Sequence, residues 1–335
     1  GMTNVTCWTP IDHMPISPAL VPWLENHQSI AMSQFGHDRL AELNRSLVAD
    51  GRKAFPLTYI PHAVESVFRP SEIGPGFGRP FREVIGVPDD AFLVGIVAAN
   101  TGGMHYDRKG FGDMLTGLAP FMARRPDAYL YLHTLQIGAQ GLHLPMLLKV
   151  AGIDPARVRW GPQYELKKQH IRDEDMAAIY SALDVLLMTS HGEGFGLPVL
   201  EAQACGTPVI VSNATAQPEL VGDKFSPERS EPRREPSGWV VQAEPDWNAK
   251  HGSWFARPRI EQITYALEDA RTAKADGTLA AMGAAALAKA ADYDADLVYE
   301  RYWRPYLTSV DKGAEKVRAA AERRERRAAK NRKAA

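Results

Sequence analysis

Two glutamates eight positions apart, Glu193 and Glu201, stand on either side of Gly194-Phe195-Gly196-Leu197-Pro198. A glycine turn that opens a helix can hold an anion. The backbone approaches closely, and the first N–H groups and dipole of the helix favour negative charge. A carboxylate beside such a turn is poorly suited to phosphate but well suited to the hydroxyls of a sugar or ribose. A second glycine turn, residues 100–110, carries Gly102 and Gly103 and ends in Arg108-Lys109-Gly110. A departing diphosphate gathers negative charge that fixed donors and cations in a dry cleft stabilise. Arg108 supplies a planar fork and Lys109 a point charge, and cations at a helix start are disfavoured unless an anion binds there. Asp12-His13 places an imidazole in an early turn. At each position the alternative is an ordinary solvated turn residue.

The elements that must position these groups follow from hydrophobic runs and punctuation. Residues 183–188 read as a buried strand and 192–196 as a turn. Pro198 fits the first turn of a helix that stops at Gly206, ahead of Pro208. The next strand begins at residue 209. Upstream, a strand at 92–98 opens into the 100–110 turn. It is followed by a helix at 111–124, a strand at 129–134, a helix at 144–150, a strand at 158–160 and a helix at 173–183. The first seventy residues read as strands at 4–10, 28–32 and 57–60 with helices at 19–25 and 34–49, Ser33 capping the latter. Residues 81–85 are a short helix after a Gly/Pro linker at 74–80, whose Gly-x-Gly lacks the strand-to-helix context of a dinucleotide fingerprint. Residues 223–237 form a charged, proline-rich insertion. A strand at 239–241, an aromatic loop at 246–255 and helices at 259–273, 278–291 and 295–306 complete the chain. Alternating strands and helices imply an α/β fold.

Composition fits a globular chain of 335 residues, 45% apolar and 24% charged. Its apolar runs are far shorter than the ~20 residues of a membrane span, and the polar start after Met2 shows no signal-peptide pattern. Two cysteines are too few for a disulfide framework or a cysteine-built metal site, so a cytoplasmic setting is expected. Residues 312–335 hold ten Lys/Arg against three Glu, whereas the whole chain carries a net charge of −1. The remainder is therefore acidic and no general nucleic-acid binder. The tail is a solvated helix or a peripheral attachment to anionic membrane or RNA. Asp292-Tyr293-Asp294 has the form of a cation-binding Asp-x-Asp but lies between helices, where a helix cap is expected. No metal site is expected.

Residues 183–212 resemble the donor-site signature of the family-4 retaining glycosyltransferases (glycosyl transferases group 1, GT-B fold): Glu, seven residues, Glu, with Gly-Phe-Gly-Leu-Pro between. Lys109-Gly110 resembles the family's diphosphate-binding Lys-Gly. Ala216-Gln217-Pro218-Glu219-Leu220-Val221 resembles its Glu-Leu/Ile-Val segment, and residues 29–70 resemble the end of its first domain, with His62-Ala63 in place of Asn-Gly. The resemblance implies a GT-B type α/β chain with a Rossmann-like parallel-sheet C-terminal domain and a partial Rossmann-like N-terminal one. Residues 1–68 correspond to the acceptor side, 69–290 to the nucleotide-sugar domain, 291–311 to a crossover helix and 312–335 to the tail. The first portion is much shorter than the family's first domain, so either truncation or a minimal variant completed by homo-oligomerisation is expected.

By the same resemblance, Glu201 holds the ribose diol and Glu193 contacts the transferred sugar near the reaction centre. Backbone groups of Gly194, Phe195, Gly196 and Leu197, together with Gly102, Gly103, Arg108 and Lys109, hold the diphosphate. His13 is the catalytic-cleft histidine, and Gln163 and Tyr164 lie near the base. The implied reaction moves a sugar from a UDP- or GDP-linked donor to a glycan, lipid or small-molecule acceptor, with retention and without metal or other cofactor. The rival expectations are a nucleotide-sugar binder with little transferase activity, a GT-B epimerase or hydrolase, and a nucleic-acid binder acting through its tail. Removing residues 312–335 separates the last from the rest. Nucleotide affinity measured by calorimetry should stay unchanged, and a large loss would return the function to the tail.

Overall fold

The computed structural model describes residues 5–101, 106–138, 140–222 and 232–313. In chain order the strands and α-helices are β1 (Thr6–Thr9), α1 (Val21–Leu24), β2 (Gln28–Ala31), α2 (Gln34–Ala49), β3 (Leu57–Tyr59), α3 (Phe81–Ile85), β4 (Phe92–Val97), α4 (Phe111–Arg124), β5 (Ala128–His133), α5 (Leu144–Ala151), β6 (Val158–Trp160), α6 (Gln163–Lys168), α7 (Asp173–Ala182), β7 (Val185–Met188), α8 (Leu197–Ala204), β8 (Val209–Ser212), β9 (Arg233–Glu235), β10 (Gly238–Val241), β11 (Ala243–Asn248), β12 (Ser253–Pro258), α9 (Ile260–Ala275), α10 (Thr278–Ala291) and α11 (Ala295–Val298).

The larger sheet runs β6-β5-β4-β7-β8-β10-β9, parallel except for the edge pair β10–β9. The strand order reverses between β4 and β7. A doubly wound sheet opens a crevice at such a point, beyond the carboxyl ends of the two strands. The segments that follow these strands leave from there, with Arg108-Lys109 downstream of β4 and residues 192–196 downstream of β7. The central strands β4, β7 and β10 are apolar and buried along their whole length because both faces are covered. Phe92, Val94 and Ile96 pack with α4 and α9 on one face, while Leu93 and Val97 pack with α7 and α8 on the other. This alternation is the period-two geometry of a strand.

The smaller sheet, β1-β2-β3, is wholly parallel. Ala31 on one face packs with Leu40 and Leu47 of α2, and Ile30 on the other packs with Val298, Tyr302, Trp303 and Tyr306 of the C-terminal helix. That helix thus crosses back from the larger unit onto the smaller. Backbone bonds from Val64 N–H to the Tyr293 carbonyl (2.8 Å) and from Ala295 N–H to the Val64 carbonyl (3.1 Å) fix its entry. Asp294 starts the helix as its cap, accepting from the N–H groups of Asp296 and Leu297. Among the described residues no cluster of His, Cys, Asp or Glu could hold a metal ion, and no helix is long and apolar enough to cross a membrane.

Several local expectations change. The aromatic loop at 246–255 is the β11–β12 hairpin, in which Trp247 and Trp254 sit directly opposite, ring centroids 4.9 Å apart. Cross-strand aromatic pairing favours the ladder, but an irregular polar/aromatic order hid the strand alternation. Gln163 and Tyr164 begin helix α6 instead of lying in a loop. Part of the proline-rich insertion, Arg233–Glu235, is an edge strand, while residues 223–231 lie outside the described residues. The segment at 19–25 opens as a 3-10 turn, and the last helix passes through a π-turn at Tyr299–Trp303. Leu297 of that last helix faces outward, 42% exposed.

One contact between the two units is electrostatically sensitive. The first N–H groups of a helix lack intrahelical partners. In α2, Ser33 Oγ accepts from Gly36 N–H at 3.1 Å, whereas Glu219 of the larger unit accepts from Gln34 (3.0 Å) and Phe35 (3.3 Å). Burial pushes the Glu219 carboxyl from its ordinary 4.5 up to about 7, against the opposing effect of those two N–H bonds. Its folded value is raised, so its contribution to stability is complete below about 4.5 and is lost as pH rises through about 7. Glu219→Gln keeps a carbonyl acceptor and removes the ionisation. In urea unfolding, wild-type stability should fall relative to this variant across that window, by at most about 1.4 kcal/mol per pH unit. Parallel curves would contradict the assignment.

Candidate functional site

At the crevice the side chains of the two turns meet. Lys109 Nζ donates to Glu193 Oε1 at 2.7 Å, and Arg108 donates to the Gly192 carbonyl at 2.6 Å and to Glu193 Oε2 at 3.3 Å. Arg108 also reaches Asp12 of the smaller unit at 3.5 Å. Glu193 is 7% exposed. A carboxylate this deeply buried needs pairing and hydrogen bonds to offset its desolvation, which the two cations provide.

The glycines of the turn have a packing role besides the anion site expected of them. A Cβ on Gly192 would lie 2.1 Å from the Asp12 carbonyl oxygen, and one on Gly194 would lie 2.8 Å from Pro10 Cβ. They let the segment after β1 press against the turn. Gly196, at φ +110°, then caps α8, with Leu197 and Pro198 opening that helix. The Phe195 side chain points into the core, 3% exposed, against His62 and Tyr293. Only its backbone is left to serve an anion.

Behind Glu193 stands Thr215, which sequence reading did not single out. Its hydroxyl accepts from Glu193 N–H at 2.8 Å and donates to the Glu193 carbonyl at 2.9 Å. Its φ of +49° is left-handed, an uncommon and strained choice for a β-branched residue. Strain at a residue that grips Glu193 from both sides marks it as a positioning group. No motif spacing reveals this, because the contact spans the β8 strand and its loop.

Asp12 and His13 form the opposite wall. His13 Nδ1 bonds Asp12 Oδ1 at 2.8 Å. Burial works against the charged Asp12, but the His13 hydrogen bond and the Arg108 charge hold its pKa below the ordinary 3.8. A carboxylate can only accept, so Nδ1 carries the proton in this pair. His13 Nε2 is buried and has no hydrogen-bond partner among the described residues. Both residues line a cavity of about 440 Å³ together with Tyr106, Arg108, Lys250 and His251.

The remaining expected residues are placed elsewhere. Glu201 lies against Tyr180, whose hydroxyl donates to it at 2.7 Å. Burial raises its pKa, partly countered by that bond. Gln163 uses its amide to tie strand ends together, donating to the Thr134 and Gly161 carbonyls and accepting from Gln136 N–H. Tyr164 is 66% exposed. Gly102 and Gly103 lie outside the described residues. The group brought together is thus Asp12, His13, Arg108, Lys109, Glu193 and Thr215. Thr215→Val removes both bonds to Glu193 while preserving shape. Each such bond is worth about 1 kcal/mol, so turnover should fall at least about tenfold while Thr215→Ser retains it. Equal turnover in both variants would deny Thr215 this role.

Residues 166–252 carry a match to the family described as Glycosyl transferases group 1. The chain is 33% identical over 159 residues to a D-inositol 3-phosphate glycosyltransferase of Saccharomonospora viridis, covering 45% of this chain and 34% of that one. It is 50% identical over 54 residues to the O-antigen chain mannosyltransferase B of Escherichia coli, covering 16% and 14%. The matched stretches are thus 34% and 14% of these two relatives' own length. Among solved structures, sucrose-phosphate synthase from Thermosynechococcus elongatus aligns with TM-score 0.59 at 22% identity, over 86% of this chain and 60% of that one. Anabaena Alr3699/HepE, solved with UDP-glucose, aligns with TM-score 0.57 at 20% identity, over 84% and 64%. The fold is that of the GT-B glycosyltransferases.

Proposed function

From a glycosyl transferases group 1 domain on a GT-B fold, we propose that this protein transfers a sugar from a UDP- or GDP-linked donor to an acceptor hydroxyl, with retention and without a metal. The observation that carries this reading is the meeting of Arg108, Lys109 and Glu193 at the strand-order reversal. Cations that neutralise a buried glutamate can also hold a diphosphate placed beside them. Glu193 then offers its oxygens to the sugar's hydroxyls, and Glu201, farther along α8, takes the ribose diol. The acceptor is a glycan, lipid or small molecule entering the cavity beside His13.

In the front-face displacement that suits this arrangement, the acceptor oxygen bonds to the anomeric carbon on the face from which the diphosphate leaves. The carbon–phosphate-oxygen bond breaks, and the acceptor proton passes to the departing phosphate oxygen. The protein's contribution is position and charge. Arg108 and Lys109 steady the diphosphate as it gains charge, and Thr215 keeps Glu193 in place.

Calorimetry with UDP and GDP, without added metal, tests the donor site: one should bind, and binding of neither would end the reading. Glu201→Ala should weaken nucleotide affinity by roughly tenfold, about 1.4 kcal/mol. Glu193→Ala should instead leave nucleotide affinity near wild type and lower turnover of the full nucleotide sugar. Equal losses of nucleotide affinity would contradict the division of roles.

A further inference from the structure

The β11–β12 hairpin stands over the cavity beside Arg108, and it is tied down with unusual thoroughness. Tyr106 Oη donates to Asp246 of β11 at 2.9 Å. Arg257 of β12 donates to Asp113 of α4 at 2.7 and 3.0 Å. Both ties converge on His191, whose Nδ1 meets Tyr106 Oη at 3.0 Å and whose Nε2 meets Asp113 at 2.6 Å. The backbone repeats the pattern, since His191 N–H donates to the Arg108 carbonyl and Ala256 N–H donates to the His191 carbonyl, each at 2.9 Å. One residue, adjacent to Gly192-Glu193, therefore couples the hairpin, α4 and the Arg108–Lys109 turn. His191 and Asp113 are 5% and 4% exposed. In so dry a setting a satisfied network rigidifies what it joins.

The hairpin is also clasped to the smaller unit. Met14 and Trp254 exchange backbone hydrogen bonds at 3.0 and 2.8 Å. On the cavity side of that bridge, His13 packs against Phe255 (5.8 Å between ring centroids) and His251 (6.4 Å). At the hairpin tip, Asn248 Oδ1 accepts from the N–H groups of Lys250 and His251. This fixes both residues where they line the cavity with His13 and Arg108. The hairpin of the larger unit is thus held at both ends and lines the cavity opposite the smaller unit's Asp12 and His13.

We propose that this hairpin is the acceptor-side wall of the reaction cavity. His251 and Lys250 face the incoming acceptor, and the wall keeps water from the anomeric carbon. The proposal rests on the donor-site reading above. Excluding water matters because water is a competing acceptor: its oxygen can form the bond to the anomeric carbon as the bond to phosphate breaks, its proton passing to the released diphosphate. His191, Tyr106 and Asp113 act as positioning residues for the wall.

Hydrolysis of the donor tests this without knowledge of the natural acceptor. Residues 249–252 are replaced by Asn-Gly, a turn that preserves hairpin pairing. Release of free nucleoside diphosphate from UDP- or GDP-linked hexoses is then followed without acceptor. Hydrolysis should rise about tenfold while affinity for the nucleotide stays within about twofold of wild type. Lys250→Ala with His251→Ala, and Tyr106→Phe separately, should move hydrolysis the same way by smaller factors, which guards against a misfolded loop variant. If the wild type binds nucleotide and all three variants bind it equally, unchanged or slower hydrolysis overturns the wall. A wild type that binds neither nucleotide fails the donor site itself.

Discussion

The arrangement depends on a buried carboxylate held between two cations at the point where a parallel sheet reverses its strand order. Glu193 has lost almost all contact with water, and an unpaired charge there would be costly. Lys109 and Arg108 must therefore remain close, which pins the turn after β4 to the turn after β7. The cations thereby stay concentrated at the crevice where the strand order reverses. The same constraint reaches the smaller unit through Arg108 and Asp12.

Close approach between the two units depends on absent side chains. Gly192 and Gly194 admit the backbone and ring of residues 10–12 at distances that a methyl group would forbid. A signature that reads as phosphate-binding glycines is therefore also a seam between the units. Glu219 of the larger unit, bonded to the start of α2, and the returning C-terminal helix hold the seam at other points. The first is polar and responds to pH, while the second buries tyrosine and tryptophan surface and does not depend on ionisation.

Much of the fold was legible because parallel strands covered on both faces must be apolar along their whole length. The boundaries at Phe81–Ile85, Phe111–Arg124 and Val158–Trp160 coincide with the sequence reading, since punctuation by glycine, proline and caps is local. The β11–β12 hairpin was not legible. Its stability comes from Trp247 facing Trp254 and from ties to Tyr106 and Asp113, all decided by partners distant in sequence.

The chain by itself determined the chemistry that the site can support. Residue types and spacing placed two glutamates, a glycine turn and an Arg-Lys pair at strand ends, because strand–turn–helix units are written in local pattern. Tertiary structure decided which of these act together. It joined Lys109 to Glu193, turned Phe195 into the core, set Glu201 against Tyr180 and committed the Gln163 amide to strand ends. It also recruited Thr215, His191 and the hairpin, which no motif names. Hydrogen bonds and ion pairs act over a few ångströms, and only folding brings residues tens of positions apart within that reach.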